Sequence, residues 1–218
     1  MTMPAADARE QMIEEQVRAW DVLDPRVLET LRRVPREPYV PARYRSLAYA
    51  DMEVPLPAGQ HMLRPSVVGR LLAALRLAGG ERILEVGTGS GFVTACLRAA
   101  GGPVLSLEIV PELADMAREN LGKQHVRDIE VINADALRHE LTDRFDAIAL
   151  TASMPRYDTR FQEHLAVGGR LFVVVGEAPV MDARLVRRVA NDAWTTESLF
   201  ETVIDPLARL APTEEFVF

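Results

Sequence analysis

Apolar residues recur along this chain with two periods, and the change from one to the other marks its organisation. In Glu10 to Trp20 the positions Met12, Ile13, Val17 and Trp20 fall on one side of a 3.6-residue repeat. Asp24-Pro25 then reads as an N-cap with proline in the first turn, ahead of Val27, Leu28, Leu31 and Val34. Two short amphipathic helices are predicted. From Pro35 to Pro65 no period is sustained; six of the fourteen prolines fall there with Tyr39, Tyr44 and Tyr49, which predicts a long ordered loop. Val67, Val68, Leu71, Leu72 and Leu75 restore the helical period, and Gly79-Gly80 is expected to end that helix.

Beyond Gly80 the pattern alternates. Arg82 to Val86, Pro103 to Leu107, Ile129 to Asn133, Phe145 to Leu150 and Arg170 to Val175 are short apolar runs. Helical patterns separate them at Gly91 to Ala100, at Pro111 to Gly122 and around Phe161 to Leu165. Such alternation predicts an α/β fold with a doubly wound, mostly parallel sheet covered on both faces. Ala183 to Ala190 and Ser198 to Ile204, joined by Asn191-Asp192-Ala193, read as a hairpin added to the sheet edge; helix is the competing reading of the first run. Phe216-Val217-Phe218 reads as a terminal strand docked on the core. One domain over 1–218 is expected, with a preface at 1–80, a cofactor-binding core at 81–176 and edge strands at 177–218.

Composition narrows the class. A formal net charge of −7 lacks the basic footprint that nucleic acid or an anionic membrane requires. The single cysteine, Cys96, sits in an apolar helical run and reads as a core thiol. The start of the chain shows no targeting pattern and no stretch approaches the ~20 apolar residues of a membrane span, so a cytoplasmic protein is expected. His125, His139 and His164 show no metal-ligand spacing, and no metal is expected.

The chemistry concentrates in Leu84-Glu85-Val86-Gly87-Thr88-Gly89-Ser90-Gly91, a strand running into a glycine loop and then a helix. Glycines permit positive φ and a close approach of a cofactor to the main chain. A dinucleotide fingerprint has its third glycine three residues after the second, whereas Gly91 lies two after Gly89. The strand acid Glu85 suits a sulfonium cofactor with a zwitterionic tail better than a pyrophosphate, so S-adenosylmethionine is favoured over NAD. Glu108, 21 residues after Gly87, stands where an acid accepts from ribose hydroxyls. Asp135, followed by Ala136, is placed for an adenine amine, with helix capping as its rival role. The run Thr151 to Pro155 is expected to wall the reaction side, and Asp146 to be structural.

Together these residues resemble a class I S-adenosylmethionine methyltransferase with a seven-stranded sheet. The flanks narrow the resemblance to the protein-L-isoaspartate O-methyltransferase family: Gln11-Met12 with Gln16-Val17, Val34 to Pro41, Ala48 to Asp51, Pro57-Ala58-Gly59-Gln60 and Leu165 to Leu171 are similar in order and spacing. The resemblance implies methyl transfer to a carboxylate of isoaspartyl residues in damaged proteins, with a protein or peptide as substrate; the sequence leaves the oligomeric state open, and a monomer is expected. It also implies a substrate loop after Gly59, where the family carries Thr-Ile-Ser followed by Gln-Pro. This chain reads Gln60-His61-Met62-Leu63-Arg64-Pro65, with Leu63 at the serine position, His61 at the threonine and Arg64 at the glutamine. His61 and Arg64 are candidates to hold an anion. The altered loop leaves two other readings open, a different acceptor or cofactor binding without turnover.

Overall fold

The structure, a computed structural model, describes residues 5–208; the Phe216 to Phe218 run lies outside them. Seven strands form one sheet: β3 (Ile83–Val86), β4 (Val104–Glu108), β5 (Ile129–Asn133), β6 (Phe145–Met154), β7 (Leu165–Glu177), β8 (Val180–Ala190) and β9 (Ala193–Thr202). Their order is β5-β4-β3-β6-β7-β8-β9. The first four neighbouring pairs are parallel, and β8 and β9 add as an antiparallel hairpin, as expected. All four residues of β3 are buried, which is why it reads as a continuous apolar run interrupted only by Glu85. Because β4 lies on one side of β3 and β6 on the other, the strand order reverses at β3, and a crevice opens beyond its carboxyl end.

The two sheet faces differ in cover. Ile83, Val104, Ala147, Ala149, Phe172 and Val174 pack beneath α3 (Pro65–Leu75), α4 (Phe92–Ala100), α5 (Pro111–Lys123) and the preface. The alternate residues Leu84, Val86, Ile148, Leu150, Leu171 and Val173 form a second core with Phe161 of the four-residue α6 (Arg160–Glu163) and with Leu137 and Leu141. Phe161 is fully buried, and burial of such a ring contributes roughly 1.5–3 kcal/mol.

The preface begins with α1 (Ala5–Gln11), which widens into a π-helical turn over Met12–Val17 and tightens over Arg18–Trp20. Met12, Ile13 and Val17 are buried as their spacing predicts. In α2 (Pro25–Arg33) the Asp24 carboxylate accepts the Arg26 amide at 2.9 Å, the expected cap. The proline-rich loop is ordered through short turns and a hairpin, β1 (Val54–Pro55) with β2 (His61–Met62), whose turn takes positive φ at Ala58 and Gly59.

Several boundaries differ from the sequence reading. The third helix stops at Leu75 because Arg76 takes the left-handed conformation, while Gly79 and Gly80 shape the turn into β3. Leu165 begins β7 instead of extending a helix: it pairs with Phe145, whose amide donates to the His164 carbonyl at 2.8 Å. The tail hairpin is longer than its apolar runs, because Asn191 and Asp192 close it with Ala190 opposite Ala193. The helical alternative for Ala183 to Ala190 is overturned by pairing with β7 as far as Arg187 on one edge and with β9 on the other. Among the described residues no helix is long and apolar enough to cross a membrane.

Candidate functional site

The crevice beyond β3 is a pocket whose floor is the glycine loop and whose walls come from the ends of β4 and β6, the β1–β2 hairpin and the segment after β9. Gly87, Gly89 and Gly91 all have positive φ, at 93°, 55° and 86°. Gly91 serves as the N-cap of α4, and a Cβ at Gly87 would lie 2.5 Å from Thr151 Oγ1. Thr151 holds the loop from β6: its hydroxyl donates to the Val86 carbonyl at 3.0 Å and also to that of Gly87.

Glu108 ends β4 inside this pocket, 4 % exposed. Its carboxylate accepts the Gly89 amide at 2.9 Å and the Val110 amide at 3.0 Å, one on each oxygen. A carboxylate oxygen has room for more than one donor, so both keep acceptor capacity toward the cavity. The Asn133 side chain and the Ala134 amide tie the Glu108 carbonyl to the end of β5, at 2.8 and 2.9 Å.

Glu85 is placed differently from the sequence expectation. Strand alternation turns it away from the cavity, under the loop, where Oε2 accepts from Thr94 Oγ1 at 2.5 Å and from Ser106 Oγ at 2.6 Å. Thr88 Oγ1 joins the same network through Ser106 at 2.6 Å, so Glu85 and Thr88 support the loop from beneath. Burial raises the Glu85 carboxyl to about 8 against those two hydroxyl donors, and among the described residues Oε1 has no partner. Asp135 accepts the Leu137 amide at 2.9 Å and closes a turn, with no helix after it to cap; Ala134 and Ala136 supply the cavity wall there. Gly91 backs onto Leu121 and stands outside the wall.

The substrate loop reaches the pocket through Gln60, His61 and Leu63, while Arg64 stays outside with its Nε 3.8 Å from Glu53. Leu63 is 7 % exposed, and its carbonyl accepts from Arg36 Nη2 at 2.8 Å. Arg36 is fully buried, lies 5.0 Å over the Phe92 ring, and among the described residues finds no partner for Nε or Nη1. Burial lowers its guanidinium to about 10, which still leaves it charged at neutral pH.

Two participants were not singled out in the sequence. Arg36 sits in the Val34 to Pro41 motif, but nothing local shows that its side chain turns inward. Asp205 follows β9, where Ser153 pairs with the chain on both sides of Pro206: its amide donates to the Asp205 carbonyl and its carbonyl accepts the Leu207 amide, both at 2.8 Å. This return places Asp205 Oδ2 3.0 Å from His61 Nδ1 at the pocket rim, with Glu53 beside them. Asp146 accepts the Arg82 amide at 2.9 Å and is structural, and Cys96 is a core thiol whose burial pushes it far above its ordinary range. Among the described residues no cluster of His, Cys, Asp and Glu could hold a metal ion.

Residues 7–210 match the family described as Protein-L-isoaspartate(D-aspartate) O-methyltransferase. The chain is 38% identical over 205 residues to Protein-L-isoaspartate O-methyltransferase 1 of Rhodopseudomonas palustris (strain HaA2), covering 93% of this chain and 83% of that relative. It is 37% identical over 187 residues to the Protein-L-isoaspartate O-methyltransferase of Methanoculleus marisnigri, covering 85% of each. In fold it is similar to a chain described as a protein-L-isoaspartate O-methyltransferase of Plasmodium falciparum in complex with S-adenosyl-L-homocysteine. That likeness has a TM-score of 0.77 at 20% identity and covers 92% of this chain and 98% of the other.

Proposed function

The chain belongs to the protein-L-isoaspartate(D-aspartate) O-methyltransferase family, and from that membership we propose that it methylates the carboxylate of isoaspartyl residues in proteins, using S-adenosylmethionine held in this pocket. When bound, the cofactor supplies an electrophilic methyl group on a sulfonium. The chain's own residues fit it in two ways: the Gly87 backbone is bare where a Cβ would strike Thr151, and Glu108 presents a buried carboxylate with acceptor capacity to spare. Glu108 would accept from the ribose hydroxyls, the glycine backbone would border the methionine tail, and Ala134 and Ala136 would flank the adenine. A carboxylate acceptor, of ordinary pKa near ~4, is already deprotonated at neutral pH. It needs alignment and no general base.

The observation that carries the reading is Glu108, fixed by two backbone amides inside a glycine-floored pocket. Its test is transfer of labelled methyl to an isoaspartyl peptide beside the aspartyl control. Isoaspartyl-selective transfer is expected, and equal or absent labelling of the two peptides would refute the assignment. In Glu108→Gln one arm must turn an NH2 toward a backbone N–H, and a ribose acceptor is lost. Calorimetric titration with S-adenosylhomocysteine is expected to show affinity down about 10- to 100-fold, the scale of one to two charge-assisted hydrogen bonds.

Arg36 gives a separate prediction. Arg36→Met removes a buried charge with two unpaired donors, so the melting temperature is expected to hold or rise. The Leu63 carbonyl loses its donor, and KM for the isoaspartyl peptide is expected to rise roughly 2- to 10-fold, the worth of about one hydrogen bond. Steady-state kinetics with each substrate varied in turn will show the effect on the peptide and not on the cofactor.

A further inference from the structure

Leucine at position 63 cannot donate a hydrogen bond, yet a carboxylate acceptor buried in this pocket needs a donor to fix it before attack. Among the described residues lining the pocket, the side chains able to donate are Gln60, His61 and Thr151, and Thr151 is committed to the carbonyls of Val86 and Gly87. His61 is held by a partner from the other end of the chain: Asp205 Oδ2 lies 3.0 Å from its Nδ1. A carboxylate only accepts, so this contact puts a proton on Nδ1 and leaves Nε2 as the nitrogen whose state can change. In the neutral ring Nε2 carries a lone pair, which repels an anion. In the imidazolium it carries a proton and the ring a full charge.

The surrounding charges strengthen that difference. Glu53, on the segment entering the β1–β2 hairpin, lines the rim beside His61 and Asp205, Arg64 approaches Glu53 from outside at 3.8 Å, and Glu108 lines the same cavity. With His61 neutral, the rim formed by Glu53, Asp205 and Arg64 carries an excess negative charge. Protonation of His61 cancels it. We propose that His61, oriented by Asp205, binds the acceptor carboxylate as an imidazolium and takes over the anchoring duty for which Leu63 has no group. The inference rests on the carboxylate acceptor proposed above. It makes methyl transfer depend on a proton at His61, because the acceptor is recognised by Nε2–H and turned away by the bare nitrogen.

The test combines a pH profile with a titration that needs no turnover. For the unmodified chain, kcat/KM on an isoaspartyl peptide is expected to fall about tenfold per pH unit above the His61 midpoint. His61→Gln should flatten the profile and raise KM about 10- to 100-fold at pH 6, with kcat changed less. Asp205→Asn should keep the slope and raise KM for the peptide about 2- to 10-fold with kcat changed less, because the ring loses the carboxylate that orients it, and adding it to His61→Gln should cost nothing further; a merely structural pair would leave KM where it was. By NMR, the His61 ring, assigned by its absence in His61→Gln, is titrated in protein saturated with S-adenosylhomocysteine, without and with the peptide. Its midpoint is expected to move to higher pH when the peptide binds. Such a move without any methyl transfer would uphold the anchor and refute the proposed activity. Transfer with an unmoved midpoint would uphold the activity and refute the anchor. A rate that rises with pH through the His61 midpoint would assign the ring to proton abstraction from a protic acceptor and overturn the inference.

Discussion

Gly87→Ala is expected to reduce S-adenosylhomocysteine affinity at least 100-fold and to lower the melting temperature. Two costs combine. Gly87 has φ of 93°, in the region that L residues rarely adopt, and forcing alanine there costs about 1–3 kcal/mol. The added Cβ would also lie 2.5 Å from Thr151 Oγ1. Thr151 can escape only by giving up the hydroxyl contacts that hold the Val86 and Gly87 carbonyls, which releases the loop from β6. Either escape moves the pocket floor, so cofactor binding loses more than the fold does. A double-mutant cycle with Thr151→Ala separates the two costs: removing the hydroxyl should relieve the collision and leave the φ strain. Affinity within threefold of the parent in Gly87→Ala would mean that the loop is not the floor of the cofactor site.

Glu85→Gln should stabilise the protein, increasingly as the pH rises. The Glu85 carboxyl sits fully buried beneath the glycine loop and is raised from 4.5 to about 8. The sign follows from linkage. Below pH 4.5 both folded and unfolded chains hold the proton and the group adds no pH dependence. Between 4.5 and about 8 the unfolded chain releases the proton while the folded chain keeps it, so stability falls as pH increases, and above 8 the loss is complete. Each pH unit of that window is worth about 1.4 kcal/mol, so the full loss is on the order of 3–5 kcal/mol. Glutamine keeps an oxygen for the Thr94 and Ser106 hydroxyls and carries no proton to lose. Urea denaturation of both proteins at pH 5 and pH 8 gives the comparison. The variant's advantage should be small at pH 5 and several kcal/mol at pH 8; the same advantage at both would show that Glu85 is not held protonated.

These two residues also show how unevenly the site could be read from sequence. Gly87 was legible because the need for positive φ is local: a glycine two residues past a strand acid, then glycine again, restricts the backbone wherever the rest of the chain lies. Glu108 was legible for a related reason, since β3, α4 and β4 have nearly fixed lengths and the spacing carries an acid to the neighbouring strand end. Glu85 was recognised as significant, but its direction depends on which face of β3 meets α4, and that face is set by packing.

The sequence by itself determined the alternation of elements, the cap at Asp24, the parallel core with its edge hairpin, and the glycine loop at the strand switch. Each follows from a periodicity or a backbone requirement confined to a few neighbouring residues. Only the tertiary structure decided what faces the acceptor. Arg36 meets the Leu63 carbonyl across 27 residues and His61 meets Asp205 across 144. The second contact exists because β6 runs on to Ser153 and captures the returning chain, which also brings a second carboxylate to the rim. Pairings of that range leave no periodic trace, because they are selected by the packing of whole elements and not by the residues beside them.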